Sequence, residues 1–552
     1  MLKKIKKPFV IAAIAIAAIV PLAFVGTDYF EVSKNLDIFS SLYKEVNTYY
    51  VDNVDPDKMM RTGINAMLES LDPYTNYISE SDIENFKFQT TGRYGGIGAI
   101  IRKDGDYTVV SEPYQNFPAY KAGLQAGDII LEVDGQSTKG KTTDDVSKIL
   151  KGAPGTTLKL LVQKPDNSQE TKTLTREEIQ INSVPYYGMV NDSIAYIRLT
   201  QFTDHCGPDV AAALTDLEKK HKVYGLIFDL RGNPGGLLNE AVNVANVFVN
   251  KDQLVVSTKG KVKDWDNNYV ALNDPIDTKI PLAILTNSGS ASASEIVSGC
   301  VQDLDRGVIV GQRTFGKGLV QTTRPLSYGT ELKVTTAHYF TPSGRCIQAL
   351  DYAHRNADGS VGKIPDSLKT AFKTKDGRVV YDGGGISADV KTPIQELSDV
   401  SIALLTKDLI FNYATQYRQK HATLPAAKEF KMSDDDYNDF LSFIKGKNYS
   451  YTTSTEKELD SLKSLASKEK YYDALKTDFS DMQDKIEHDK DQDLVKNKEE
   501  IVELLEEEIS SRYYYQSGRI ENELQHDPDI AKAISVLGNP VEYSQILSAS
   551  KN

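Results

Sequence analysis

The feature that most constrains this chain is an alternation, from about Ser183 onward, of short apolar β-type runs with amphipathic helical stretches. The runs IAYIRL, GLIFDL, PLAILT and GVIVG are separated by helical patterns around Val210 to Leu217, Leu237 to Val249 and Ser290 to Leu304. Such an alternation implies a layered α/β structure with a partly parallel sheet. Active sites on sheets of this kind sit at the carboxyl ends of the strands.

The rest of the chain has different textures. At 552 residues it has room for three or more compact units. The start, MLKKIKKPFVIAAIAIAAIVPLAFVG, places lysines before an apolar run from Pro8 to Val25, the layout of an export signal. Residues 1–26 are therefore read as a signal peptide or a retained membrane anchor, and the remainder as extracytoplasmic. Residues 27–91 form a helical N-terminal segment, with Ile38, Leu42 and Val46 on one stripe and Ile64, Met67, Leu68 and Leu71 on another. Residues 92–180 read as a compact α+β module and residues 181–395 as the α/β core. Residues 396–552 are a charged helical C-terminal domain, with Ile501, Leu505 and Ile509 on one stripe and a last helix running from Asp527 as N-cap to Gly538 as stop. A homodimer contact, an embrace of the core and an adaptor site are all open roles for this domain. The net charge of −13 argues against a nucleic-acid partner. Cys206, Cys300 and Cys346 are too few for a disulfide framework, have no zinc spacing, and read as buried small side chains.

The stretch NSGSASASEI, residues 287–296, lies between the run PLAILT and a helix whose stripe is Ile296, Val297, Cys300, Val301 and Leu304. Ser292 thus sits at a helix N-terminus, where unpaired backbone N–H groups and the helix dipole favour a developing negative charge. Taken alone, the pattern is more simply a Ser-rich helix cap. Further along, Lys317 stands in the glycine turn TFGKG, followed by LVQTT with Gln321. A lysine acts as general base when burial lowers its pKa, and Gln321 is placed to orient the amine. GQRTFGKG fits the opening of a phosphate loop but fails at Gly318, where Ser or Thr and a helix are required. There are seven histidines but no GxSxG elbow and no HExxH, and His338 lies in an alternating strand pattern as a structural residue. Glu295 and Asp303, on the helix after the serine, are further candidates to organise the site.

NSGSASASEI, TFGKGLVQ, DLRGNPGG at 229–236 and YFTPSGRCIQ at 339–348 together resemble the carboxyl-terminal processing protease family, over roughly residues 35–395. The resemblance implies a crotonase-like or ClpP-like α/β core with an inserted PDZ domain. It makes Ser292 the nucleophile, Lys317 the general base and Gln321 the residue positioning the lysine, with the amides of Ala293 and of Gly235 or Gly236 as oxyanion hole. The glycines of YGGIGAII and the segment FPAYKAGLQAGDIILEVDGQ resemble a PDZ domain, which takes an extended peptide as an added strand and holds its terminal carboxylate on backbone N–H groups. Gly95, Gly96, Ile97 and Gly98 are then the carboxylate loop, with Ile149 or Leu150 lining the apolar pocket unless both belong to the core. Lys151 stands where family members often carry arginine, and SLDPYT, with Tyr74, where they carry SLDPHS. The resemblance implies a serine endopeptidase acting near free carboxyl-terminal tails of extracytoplasmic polypeptides, bacterial and periplasmic, soluble or anchored to the inner membrane, with no metal or organic cofactor. The alternative is a non-catalytic PDZ scaffold that binds tails on a protease-like fold.

Overall fold

The computed structural model describes residues 29–356, 358–490 and 492–548. The run Pro8 to Val25 lies outside the described residues, and no helix among those described is long and apolar enough to cross a membrane. The chain divides into two compact units, Met1–Tyr77 and Ile78–Asn552. In the first, a helix over residues 29–49 is followed by the helix Pro56–Glu69, and the Tyr43 hydroxyl donates to the Pro56 carbonyl at 2.7 Å. Asp55 caps the second helix by accepting from the N–H groups of Asp57 and Lys58. Leu68 is buried there, whereas Ile38 and Leu42 of the first stripe stay exposed. The helix Ile83–Thr91, which the sequence groups with this segment, belongs to the second unit.

The centre of the second unit is a six-stranded sheet in the order Tyr186–Met189, Ile194–Arg198, Gly225–Asp229, Leu282–Thr286, Val308–Gly311, Val390–Lys391. The first pairing is antiparallel and the others are parallel, so the partly parallel sheet expected from the alternation is present. Successive side chains of a strand point to opposite faces. Ala195, Ile197, Leu226, Phe228, Leu282 and Ile284 pack with the helices Cys206–Lys220, Leu238–Asn246 and Ala293–Asp303. Tyr196, Ile227, Ala283, Leu285, Val308 and Val310 face the other way and meet Ile520, Ile530, Ala533, Val536 and Leu537 of the C-terminal helices. Of the roles left open for that domain, an embrace of the core is therefore realised. A second, antiparallel sheet joins Leu319–Pro325, Glu331–Phe340, Leu254–Gly260 and Asn267–Val270.

The α+β module has its own core around Val110, Ile130, Val146, Leu158 and Leu160. Its helix Thr143–Leu150 starts on a reciprocal cap between Thr142 and Asp145 and ends against Arg176, whose Nε and Nη2 donate to the carbonyls of Leu150 and Ile149 at 3.1 and 2.8 Å. The C-terminal domain packs around Ile501, Leu505 and Ile509, the stripe legible in the sequence. Its long helix, Lys498–Glu523, leaves helical geometry at Tyr515 (φ 58°, ψ −154°), where the ring meets Tyr120 of the α+β module edge-on at 5.6 Å. Beyond that kink Arg519 lies 3.5 Å from Glu112 of the module, and Glu523 pairs with Arg198 of the core sheet at 2.7 Å. The helix Pro528–Leu537 then starts at Asp527 and stops at Gly538, as the sequence predicts. Because Ile530 is 1% exposed between this helix and the sheet, Ile530→Ala is expected to lower stability by about 2–4 kcal/mol, measured by urea unfolding, through lost burial and a residual cavity.

Candidate active site

Two loops at the carboxyl ends of neighbouring parallel strands build the site. After Gly225–Asp229 the chain turns through Arg231, Gly232, Asn233, Pro234, Gly235 and Gly236, and after Leu282–Thr286 it turns through residues 287–292 into the helix Ala293–Asp303. Asn233, fully buried, sews the two together. Its carbonyl accepts from the Ala291 N–H at 3.0 Å and from Ser294 Oγ at 2.9 Å, its Oδ1 accepts from the Gly235 N–H at 2.9 Å, and its Nδ2 donates to the Leu199 carbonyl at 2.8 Å. Gly235 has φ +101°, and a Cβ there would lie 2.8 Å from Ser292 Cβ and 2.9 Å from the Ala293 nitrogen. Only glycine allows the loops to approach this closely.

Ser292 is the N-cap of the helix and has φ 54°, ψ −109°, a backbone conformation costly for any L-residue, of order 1–3 kcal/mol. It is held there from several sides. The Ser292 N–H donates to Glu295 Oε2 at 2.8 Å, and its carbonyl accepts from the Glu295 and Ile296 N–H groups and from the Tyr339 hydroxyl at 3.2 Å. Glu295, with 0% exposure, also receives the turn that carries Lys317. Oε2 accepts from the Lys317 N–H at 2.8 Å, while Oε1 accepts from the Gly316 N–H at 2.7 Å and from Thr314 Oγ1 at 2.5 Å. One carboxylate oxygen therefore binds the backbones of both Ser292 and Lys317.

Ser292, Ala293, Gly235, Gly236, Lys317 and Gln321 all line one cavity of about 490 Å³. The six residues assigned from sequence to nucleophile, base, base-orienting group and oxyanion hole are thus brought together. The Gly235 amide is occupied by Asn233 Oδ1, whereas among the described residues the Ala293 and Gly236 amides have no protein acceptor. Gln321 Nε2 donates to Thr335 Oγ1 at 3.1 Å. Asp303 lies elsewhere, paired with the buried Arg345 at 2.7 Å, and organises the turn after Phe340 through the Ser343 N–H. His338 is not in the cavity wall. Lys333 and Tyr339 are, and sequence reasoning missed both; burial pushes the Lys333 ammonium pKa down. Cys206 and Cys300 are buried as expected, and Cys346 is half-buried. Among the described residues no cluster of His, Cys, Asp and Glu has the form of a metal site.

The α+β module meets this cavity through the helix Ile83–Thr91. Phe86, Gln89 and Thr90 line the cavity, and Gln201 Nε2 donates to the Gln89 carbonyl at 2.8 Å. On its other side Lys151 Nζ donates to Asn85 Oδ1 at 3.1 Å, with the rings of Phe88 and Tyr94 at 5.6 and 5.5 Å. Gly95 and Gly96 lie in the strand Arg93–Gly96, paired with Glu177–Gln180, and a Cβ on Gly95 would sit 2.1 Å from the Gly152 carbonyl oxygen. Ile97 is buried in the module's core, and Gly98 leads into the strand Ala99–Asp104, which among the described residues pairs on one side only, with Tyr107–Pro113. The same strand lies in contact with the helix Thr143–Leu150. Leu150 is a core residue, while Ile149 is half-buried and packs against that core.

Burial pushes the Glu295 pKa up to about 7, against the four donors that pull it down. A carboxyl whose pKa is raised on folding contributes stability that is fully present below about pH 4.5 and lost as pH rises through about 7, a swing on the order of 3 kcal/mol. Urea unfolding of Glu295→Gln between pH 4 and 8 is expected to lack that decline, with lower stability throughout because a glutamine amide cannot accept all four hydrogen bonds. Parallel slopes for the two proteins would contradict it.

Three family models match the chain: the PDZ domain over residues 109–164, peptidase family S41 over residues 193–353, and a probable PDZ-protease C-terminal helical domain over residues 400–537. The carboxy-terminal-processing protease of Bartonella bacilliformis is 38% identical over 323 residues, 57% of this chain and 73% of that one. A probable CtpA-like serine protease of Staphylococcus haemolyticus is 37% identical over 55% of this chain and 61% of its own length. The solved photosystem II D1 C-terminal processing protease is 30% identical over 64% of this chain and 92% of that chain, with a TM-score of 0.34. With the S41 and PDZ matches falling on the α/β core and the α+β module, and a relative matched over most of its length, the chain belongs to the carboxy-terminal-processing protease family.

Proposed function

We propose that the protein is a serine endopeptidase that cleaves extracytoplasmic, periplasmic polypeptides near their free carboxyl termini, with Ser292 as nucleophile and Lys317 as general base. The observation that carries the reading is the shared Glu295 oxygen, which fixes the backbones of Ser292 and Lys317 to each other where both open on one cavity. A strained serine braced in this way costs the fold energy that helix capping alone does not require, and strain of this kind concentrates at functional sites. In the reaction Ser292 Oγ attacks the scissile carbonyl carbon while the Lys317 amine takes its proton. The carbonyl oxygen, now negative, receives the Ala293 and Gly236 amides, the two left without a protein acceptor. Collapse expels the amine, which takes the proton from Lys317, and water releases the acyl group by the same steps. Gln321 orients the lysine.

Substrate selection falls to the PDZ domain. A tail added as a strand beside Ala99–Asp104 places its carboxylate at the amides of Gly95, Gly96, Ile97 and Gly98 and its last side chain beside Ile149. The chain from Thr27 onward, incubated with an unstructured peptide ending in small apolar residues, is expected to cleave it, and to cleave the amidated peptide more slowly. Ser292→Ala and Lys317→Ala should each lower kcat by at least about 10³-fold, read by mass spectrometry, while Lys333→Ala stays within about threefold. Cleavage lost on Lys333→Ala and kept on Lys317→Ala would reassign the base; tail binding without cleavage by the unmodified protein would favour the scaffold.

A further inference from the structure

The glycine loop begins at Arg231, and Arg231 is gripped from two sides. At the end of the core strand its Nε lies 3.1 Å from both carboxylate oxygens of Asp229 and its Nη2 2.7 Å from Asp229 Oδ2. Its Nη1 is taken by carboxylates from the far end of the chain, Asp527 Oδ2 at 2.6 Å and Asp529 Oδ2 at 3.0 Å. The Arg231, Asp229, Asp527 and Asp529 side chains are 12%, 0%, 7% and 9% exposed, so water screens these ion pairs little. Loss of a partner leaves buried charge uncompensated, and the planar fork of donors cannot be replaced by an ammonium group. Gly235 and Gly236 have no side chains to fix them. Their place depends on the Asn233 contacts, on Arg231 before them, and on the Phe202 backbone, whose N–H donates to the Gly235 carbonyl at 3.0 Å and whose carbonyl accepts from the Leu237 N–H at 2.8 Å.

We propose that Asp527 and Asp529 are positioning residues of the active site, acting through Arg231 to hold the glycine loop and its Gly236 amide against Ser292. The C-terminal helical domain then completes the oxyanion site as well as covering the sheet. The inference rests on the reading of Ser292 and Gly236 given above. Asp527 has a second task, since its Oδ1 accepts from the Asp529 and Ile530 N–H groups at 2.8 and 3.2 Å as a helix cap. The cap uses Oδ1 and Arg231 uses Oδ2, so the tasks separate by substitution: asparagine caps a helix as well as aspartate but brings no charge to Arg231.

The full chain carrying Asp527→Asn and Asp529→Asn is therefore compared with the unmodified protein. On the tail peptide kcat is expected to fall about 10–100-fold with KM within about twofold, and affinity for a peptide boronic acid, whose tetrahedral adduct on the serine needs the oxyanion donors, to fall by the same factor as kcat. Amide exchange followed by mass spectrometry should quicken in peptides covering residues 230–238 and stay unchanged in those covering Leu282–Thr286. Arg231→Lys should reproduce the pattern. Unchanged exchange at 230–238 overturns the proposal whatever the activity, as does exchange that quickens throughout the chain with kcat and KM moving together. If the unmodified protein cleaves nothing while loop exchange still quickens in the variant, the peptidase reading is what fails and the hold of Asp527 and Asp529 on the loop through Arg231 stands.

Discussion

The site depends on one buried carboxylate. Glu295 lies in the first turn of a fully buried helix, where an uncompensated charge would be prohibitively costly, and four donors converge on it. The donors come from the two segments whose relative placement matters most, the Ser292 N–H from one and Thr314, Gly316 and Lys317 from the other. Side-chain contacts between flexible groups would allow the serine and lysine to drift. Backbone amides bound to one carboxylate do not, because each amide is itself fixed by its loop. The same bracing holds Ser292 in its unfavourable backbone conformation, so a local cost is offset by hydrogen bonds in a medium that strengthens them.

Around that point the fold is layered. The central core strands are apolar over most of their length because helices cover one face and the C-terminal segment the other. The PDZ domain touches the site wall through the helix Ile83–Thr91 and touches the C-terminal domain at Tyr515 and Arg519. The PDZ domain, the candidate site and the charged C-terminal domain therefore share contiguous surfaces within one compact unit.

Much of this was legible in the sequence, for reasons that differ by element. IAYIRL, GLIFDL, PLAILT and GVIVG were readable as strands because apolar runs between amphipathic helices have few other solutions. Ser292, Lys317 and the glycine pair, which the fold brings to one cavity, could be picked out as candidates because a helix N-terminus and glycine turns carry local signatures. Which of the Gly235 and Gly236 amides lacks a protein acceptor was not legible, since it turns on Asn233 Oδ1 occupying one of them, a contact that only the folded loop creates. Glu295 carried a usable signal, the three-residue spacing of a capping box from Ser292, but looked like any carboxylate on a helix surface. Leu150 and Ile149 are neighbours on one apolar stripe, and only the packed module separates the core residue from the half-buried one. The stripe of Ile501, Leu505 and Ile509 announced a helix without naming its partner, because amphipathic periodicity encodes burial and not the surface that supplies it.

The covering of the sheet's second face has a consequence for how the chain matures. Arg198 and Glu523 meet across 325 positions, and the helix that closes the core follows Glu523. Contacts of such separation form late, since the whole intervening loop must be ordered before they return any stability. During synthesis the strands that lead to Ser292 emerge well before the helix that shields them, and their bare face must be guarded against other chains until residues 528–537 have been made. The helix Pro528–Leu537 thus sets the time at which the sheet becomes a finished object.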